Sequence, residues 1–470
     1  MDVQVERTFV IPPSSSESEE VPFTVFDFVA KPSHMTVLYA FSAPNPTNEA
    51  LLAALTAVLP SFPLLAARID RDPVTDRPFF VTGAGGGAGV LVKEATVAGT
   101  ALADHLPLCP SDQLVARLHV PRGEGNRHML KVQVNRFAAC GGVVIAPSAH
   151  HQAADGPSMR TFLQAWVDAV RAGPGAPPPP GISAPYGPSN LTPRCPPLCE
   201  FEHRGAEFLP FPPSPASDKE DSSSGSDIDD HQQQLPQEQQ EKPSSDSDEL
   251  HVDPSEISNM LLHYTKEFIA ELKAKAGGKY TTFETLSAHV WKKITAARGL
   301  LDAATPTSIY VAVNGRWRVP DSDAIPRDFF GNAILAASSE TTARDLVGGG
   351  LADAAAMVRA AARAVDERYL LSFIDFGAVN AGENLEPAVL DEDNLLSPDV
   401  DVNSWLHLGL HTLDFGCGGK LVGSCRPRSS WKGRCTSCPA SARKEASTCS
   451  SRSGRSTPPS SKLLLTPWIN

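Results

Sequence analysis

The chain contains no apolar run approaching 18 residues, so no segment is long enough to cross a bilayer as a helix. Its opening stretch, Met1 to Pro22, is acidic and serine-rich and lacks the basic region and apolar core of a secretory leader. A cytoplasmic protein is therefore expected. Cysteine is sparse, nine in 470 residues, and in an unsecreted chain these read as reduced thiols rather than a disulfide framework. Basic residues are outnumbered, 41 Lys and Arg against 54 Asp and Glu, and the net charge of −13 argues against nucleic-acid partners and anionic membranes. No internal repeat is visible. What is present, 41% hydrophobic and 20% charged residues, excludes a wholly disordered or collagen-like chain, and the length accommodates two or three domains with a sizeable core.

The charge is unevenly spread. Residues 214–249 hold eleven Asp and Glu against two Lys, mixed with Ser, Gln and Pro, and offer almost no apolar side chains to offset their ordering entropy. Disorder is expected there. Together with the Pro-rich stretch 174–200 they read as a linker over 174–253, between an N-terminal domain (1–173) and a C-terminal domain (254–420). The last 50 residues, 421–470, hold nine Lys and Arg, one Glu, twelve Ser and four Cys. Neither a period of 2 nor one of 3.6 survives in them, so they are expected to supply no core strand.

Periodicity places several elements. Leu51, Leu52, Leu55 and Val58 mark a helix over Asn48–Val58, and Leu130, Val132 and Val134 alternate as in a half-buried strand. Val143 to Ala146 form a second apolar run that ends at Ser148-Ala149-His150-His151. Beyond Pro157, Met159, Phe162, Leu163, Trp166, Val167 and Val170 recur at helical spacing up to Gly173. Ile257, Leu261, Phe268, Ile269 and Leu272 suggest a helix, Thr281 to Glu284 has the capping-box pattern, Ile309 to Val313 reads as a strand, and 350–368 as one Ala-rich helix.

The sharpest chemical feature is His150-His151-Gln-Ala-Ala-Asp155-Gly156, set between a strand and a helix start. A histidine at a rigid strand end is well placed as a base, because neutral imidazole accepts a proton near pH 7. The helix N-terminus and turn amides beside it are candidates for stabilising negative charge. Core packing of the His pair and an N-cap role for Asp155 are the plain alternatives. The second feature, Asp414-Phe415-Gly416-Cys417-Gly418, is by itself a small glycine-rich turn.

Taken together, His151-xxx-Asp155-Gly156 and Asp414-Phe-Gly-Cys-Gly418 resemble the two signature motifs of the plant BAHD acyltransferases, HxxxDG and DFGWG. HxxxDG alone also occurs in peptide-synthetase condensation domains and chloramphenicol acetyltransferase. The resemblance extends over about 1–420 through Leu59-Pro-Ser-Phe-Pro-Leu-Leu-Ala-Ala-Arg68, Thr282 to Trp291, Asn314-Gly-Arg316-Trp-Arg318 and Phe330-Gly331-Asn332. It implies an α/β protein of two-domain chloramphenicol-acetyltransferase-like fold, each domain a mixed sheet flanked by helices, acting as a monomer. It implies acyl-CoA as co-substrate, no bound cofactor, no metal, and a small amine or alcohol acceptor. His151 would be the general base in a direct, ternary-complex attack on the thioester. Asp155 would pair with Arg316 in a structural role, and Gly156 would leave room in the turn. Asp414, Phe415, Gly416 and Gly418 would support the fold around the CoA channel, far from the histidine, and Trp405 would line the acceptor pocket. Phe137 to Ser158, with Cys140-Gly-Gly142 and the doubled His, is most similar to grass members that acylate amines or phenolic acceptors using hydroxycinnamoyl- or benzoyl-CoA.

Two positions depart from the pattern: Cys417 replaces the usual Trp and Asn314 the usual Asp. The abrupt change of composition after Lys420 is expected to reflect a shifted reading frame. Two further patterns weigh less. Gly83-Ala-Gly85-Gly-Gly-Ala88 loosely fits a dinucleotide loop, but a strand follows it, so a flexible hairpin is expected. Cys435-Thr-Ser-Cys438 has zinc spacing without a second ligand pair.

Overall fold

The computed structural model describes residues 2–14, 17–109, 113–175, 185–210, 258–300, 304–319, 324–388 and 398–426; for 258–261 and for Arg434–Pro439 and Leu463–Ile469 it describes the backbone alone. The acidic segment 214–249 lies outside the described residues.

Two large sheets and one small one organise the chain. The first runs, edge to edge, through Asp2–Ile11, Val90–Ala98, Leu130–Phe137, Val143–His150, Leu38–Phe41 and Leu421–Cys425, with His34–Thr36 also paired to Val143–His150. It is mixed: Val90–Ala98 and Leu130–Phe137 are parallel, the other pairs antiparallel. The second runs Ser258–Tyr264, Leu463–Ile469, Arg434–Pro439, Val400–Ser404, Pro306–Asn314, Ile334–Thr342. Glu19–Pro22, Pro78–Thr82 and Arg68–Arg71 form the third. Among the described residues no helix is long and apolar enough to cross a membrane.

The helix Asn48–Val58 has the predicted bounds, with Thr47 capping Ala50 N–H. The capping box at Thr281 and Glu284 is formed at the head of Thr282–Ala297. Other expectations are corrected. The pattern from Ile257 to Leu272 is a strand, Ser258–Tyr264, followed by a helix, Lys266–Lys275, because Thr265 N-caps that helix through Phe268 N–H. The single Ala-rich helix is two, Leu351–Ala364 and Glu367–Val379, divided where Asp366 caps the second through Tyr369 N–H. The glycine-rich loop is no hairpin, since the strands flanking it, Pro78–Thr82 and Val90–Ala98, lie in different sheets. Gly83 there has φ +75°, and a Cβ on it would meet the Glu17 carbonyl oxygen at 1.7 Å, so the turn is packed rather than loose.

The strand Leu130–Phe137 is not half-buried. Lys131, Gln133 and Asn135 are buried too, because residues 113–124 cover the sheet's second face and absorb their polar ends. Lys131 Nζ donates to Glu124 O at 2.9 Å, Gln133 Nε2 to Arg117 O at 2.9 Å, and Asn135 Nδ2 to Leu118 O at 2.8 Å. Burial lowers the Lys131 ammonium to about 8.

The stretch after Lys420 supplies strands after all. Leu421–Cys425 pairs with Leu38–Phe41, and Cys425 is buried in the smaller apolar cluster with Leu38 and Ala40. The backbones of Arg434–Pro439 and Leu463–Ile469 complete the second sheet. Strand pairing uses main-chain groups, which any composition carries, so side-chain periodicity was a poor guide here.

The linker expectation is corrected for residues 185–210, which dock as a strap on the helix Glu367–Val379. Asp375, fully buried, accepts from Arg194 N at 2.7 Å, Arg194 Nε at 2.6 Å and Leu198 N at 2.9 Å. Phe208 stacks on Phe376 with ring centroids 5.4 Å apart, and the His203 Nε2 to Ser372 Oγ contact is 3.0 Å. Asp375→Ala strips all three donors of their acceptor. It should destabilise the fold by on the order of 2 kcal/mol, discounted for the partial exposure of Arg194. Urea melts and limited proteolysis check this; an unchanged midpoint with no new cleavage within 185–210 would refute the anchoring role.

Candidate active site

The strand Val143–His150 and its neighbour His34–Thr36 lie antiparallel, His34 opposite His150 and Met35 opposite Ala149. A strand's side chains alternate between faces, so Pro147, Ala149 and His151 share one face with Met35, Val37 and Tyr39. These six form one wall of a cavity that is closed by Ala154, Asp155, Gly156, Met159 and Leu163 on the turn and helix, and by Trp405 and Leu410 from the second half. The open space at its centre is about 40 Å³, room for a few waters. Trp405 is buried, and the Arg426 guanidinium lies 5.3 Å above its ring.

The same alternation separates the two histidines. His151 is half-buried and lines the cavity, while His150 is buried on the opposite face, edge-on to the His34 ring at 5.1 Å. Desolvation first, then the neighbouring His34, lowers His150 to about 3; desolvation and Lys131 lower His34 to about 4. Both are neutral imidazoles at neutral pH.

Asp155 caps the helix Gly156–Ala172, its Oδ1 accepting from Ser158 N at 2.9 Å. It also receives Arg316, Nη1 to Oδ2 at 2.8 Å and Nη2 to Oδ1 at 3.3 Å, and Ala333 N at 3.0 Å. The N-cap role and the ion pair, alternatives in the sequence, are both real. Arg316 is 3% exposed, and its remaining donors reach Phe329 O, Gly331 O, Ser158 Oγ and Asn314 Oδ1. Such complete satisfaction is what lets an ion pair persist out of water. The helix N-terminus is a poorer source of free donors than expected, because Pro157 has no N–H and Ser158 N–H is taken by Asp155. Gly156 leaves room not for its own turn but for Leu408, whose Cδ1 would lie 3.2 Å from an added Cβ.

A sequence profile described as the Transferase family matches residues 1–442, past the point where the motif resemblance ended. The chain belongs to the BAHD acyltransferase family. It is 35% identical over 427 residues to tryptamine hydroxycinnamoyltransferase 2 of Oryza sativa subsp. japonica, covering 88% of each chain. To putrescine hydroxycinnamoyltransferase of the same species it is 36% identical over 444 residues, covering 89% of each. In fold it is similar to F. graminearum TRI101 complexed with coenzyme A and deoxynivalenol, with a TM-score of 0.60 at 14% identity, covering 88% of this chain and 90% of that one.

Within this acyltransferase the second motif lies at the far end of the helix that begins at Asp155, a span of roughly 25 Å at 1.5 Å per residue. Arg171 Nη1 donates to Asp414 Oδ2 at 3.2 Å, and Phe415 packs edge-on to Phe41 and Trp166, with centroids 5.1 and 6.2 Å away. Gly416 and Gly418 have φ of +80° and +90°, which favours glycine. Cys417 is exposed, so the core of the motif is Phe415 rather than the residue that departs from the pattern. Asn314 still accepts from Arg316 N and Nη1, doing without a second charge what the usual Asp would do with one.

Sequence reasoning passed over Asp27 and gave Asn332 no role. Asp27 is buried, closes a capping box with Thr24, and accepts from Asn332 Nδ2 at 2.9 Å. The pattern Thr24-x-x-Asp27 was the available signal. Desolvation raises Asp27 to about 6.

Arg316→Met leaves Asp155 buried and unpaired and should cost about 3–5 kcal/mol in urea melts; a loss under 1 kcal/mol would contradict the geometry. The raised Asp27 value gives a second expectation. Its contribution is fully present below the unfolded value of 3.8 and is lost as pH rises through about 6. His34 and His150, with lowered values, act with the opposite sign, so the difference between wild type and Asp27→Asn isolates the carboxylate. That difference should move in favour of the variant between pH 4 and pH 7, and a flat difference would argue against it.

Proposed function

We propose that this acyltransferase moves an aromatic acyl group, hydroxycinnamoyl or benzoyl, from acyl-CoA to a small amine or hydroxyl acceptor, with His151 as general base. One observation carries the reading. Of the ionisable side chains lining the cavity, Asp155 is consumed by Arg316 and Tyr39 is a phenol, too weak a base for neutral pH, which leaves His151 for proton transfer. The acceptor's N–H or O–H gives its proton to His151 as its heteroatom attacks the thioester carbonyl carbon. The tetrahedral oxyanion then collapses, expelling CoA thiolate, which takes the proton back from the imidazolium. Neither an acyl-enzyme nor a metal is required, because the thioester is already activated.

The chain's task is then positioning and desolvation. Apolar walls from Met35, Val37, Ala149, Leu163 and Leu410 exclude water from the reacting atoms, and Trp405 adds an aromatic side chain to the lining. The rice relatives named for hydroxycinnamoyl transfer to tryptamine and putrescine support an amine acceptor, and the coenzyme A named in the TRI101 complex supports the donor.

Free-thiol release from a panel of acyl-CoAs, crossed with amine and alcohol acceptors, should show turnover with an aromatic donor and intersecting, not parallel, double-reciprocal lines. His151→Ala should reduce kcat by about 10²–10⁴-fold while melting cooperatively. Wild-type rates in that variant would exclude His151 as the base.

A further inference from the structure

The turn that carries His151 is gripped at two successive residues. His151 N–H donates to Ser33 O at 2.9 Å, and the carbonyl of the following residue, Gln152 O, accepts from Asn332 Nδ2 at 2.7 Å. The same Nδ2 donates its other hydrogen to Asp27 Oδ1 at 2.9 Å. Both neighbours are acceptors only, which fixes the orientation of the amide. The two oxygens of Asp27 divide their work: Oδ1 holds Asn332, and Oδ2 takes Thr24 N and Thr24 Oγ1, each at 2.8 Å. All of this is out of water, with Asn332 2% and Asp27 4% exposed.

We propose that Asn332, oriented by the buried carboxylate of Asp27, is a positioning residue for His151. The inference rests on the role of His151 proposed above. Two carboxylates are buried close to this turn. Asp155 is neutralised by Arg316, but among the described residues no ion pair is formed to Asp27. Desolvation without a cation opposes folding, and a space-filling apolar residue would avoid it. What the carboxylate supplies is a fixed acceptor that locks the Asn332 amide beneath Gln152. The neighbours of Asn332 grip the same turn, Gly331 O accepting from Asp155 N at 3.2 Å and Ala333 N donating to Asp155 Oδ2 at 3.0 Å. Three successive residues of the second half thus hold the turn, and the middle one acts nearest the base. A displacement of about 1 Å at a reacting group costs about 10²-fold in rate.

The test compares wild type, Asn332→Ala, Asp27→Asn, the double variant and His151→Ala as purified full chains. The rate constant is expressed per coenzyme A bound, titrated calorimetrically, so that a loss of folded protein does not enter. Asn332→Ala should lower kcat about 10- to 100-fold, with KM for the acyl-CoA and the coenzyme A affinity within twofold of wild type. Adding Asp27→Asn to it should lower kcat no further, because Asp27 acts through Asn332. Should Asn332→Ala fail to fold, Asp27→Asn alone decides: a fall of threefold or more in kcat at unchanged coenzyme A affinity supports the proposal, and an unchanged kcat overturns it. Wild-type kcat in a folded Asn332→Ala overturns it as well. If His151→Ala also retains turnover, it is the reading of the site that fails; if that variant is inactive, only the positioning role is lost.

Discussion

The ion pair between Asp155 and Arg316 is the constraint around which the rest of the site is arranged. It joins Asp155, just past the turn that carries His151, to Arg316, just past the strand Pro306–Asn314, and both partners are almost fully buried. A buried pair is weak evidence for stability in general, since desolvation offsets the attraction. Here it is tolerable because every donor of Arg316 has an acceptor and Asp155 also caps a 17-residue helix. That one carboxylate therefore marks the start of the helix and ties it to Arg316 and Ala333 of the second half.

The Asp of the motif is engaged by the fold itself, as N-cap and as partner of Arg316. Its lone pairs are directed at Ser158, Ala333 and Arg316, away from any relay to the imidazole. The second carboxylate buried near this turn, Asp27, forms no ion pair among the described residues, and the raised value of about 6 reflects its desolvation. The doubled histidine divides in the same manner. Strand alternation turns His151 to the cavity and His150 to the buried His34, so identical side chains one residue apart meet different solvents.

Much of the fold was legible because local rules act alone there. The helix Asn48–Val58 and the capping box at Thr281 depend on spacing and on caps that lie in the same few residues. Where the reading failed, long-range contacts decided. Lys131, Gln133 and Asn135 alternate like solvent-facing residues, yet a covering segment buries them by giving each a carbonyl partner. The Pro-rich strap looked like a linker because Asp375, the residue that orders Arg194, lies 181 positions away. Strands after Lys420 were missed because main-chain pairing needs an available edge rather than a pattern.

The sequence by itself determined the chemistry on offer: a histidine at a strand end, an Asp and Gly opening a helix, and a glycine-rich turn that requires positive φ. Those properties are local, being set by side-chain type and by neighbours within four residues. Only the tertiary structure decided which histidine faces the cavity, that Asn314 can replace an Asp beside Arg316, and that Asn332 and Asp27 stand behind the turn that carries His151. Asp27 and Asn332 are 305 residues apart in sequence and 2.9 Å apart in space. Their partnership has no period, cap or spacing to announce it, because it exists only once both halves are packed on the same turn.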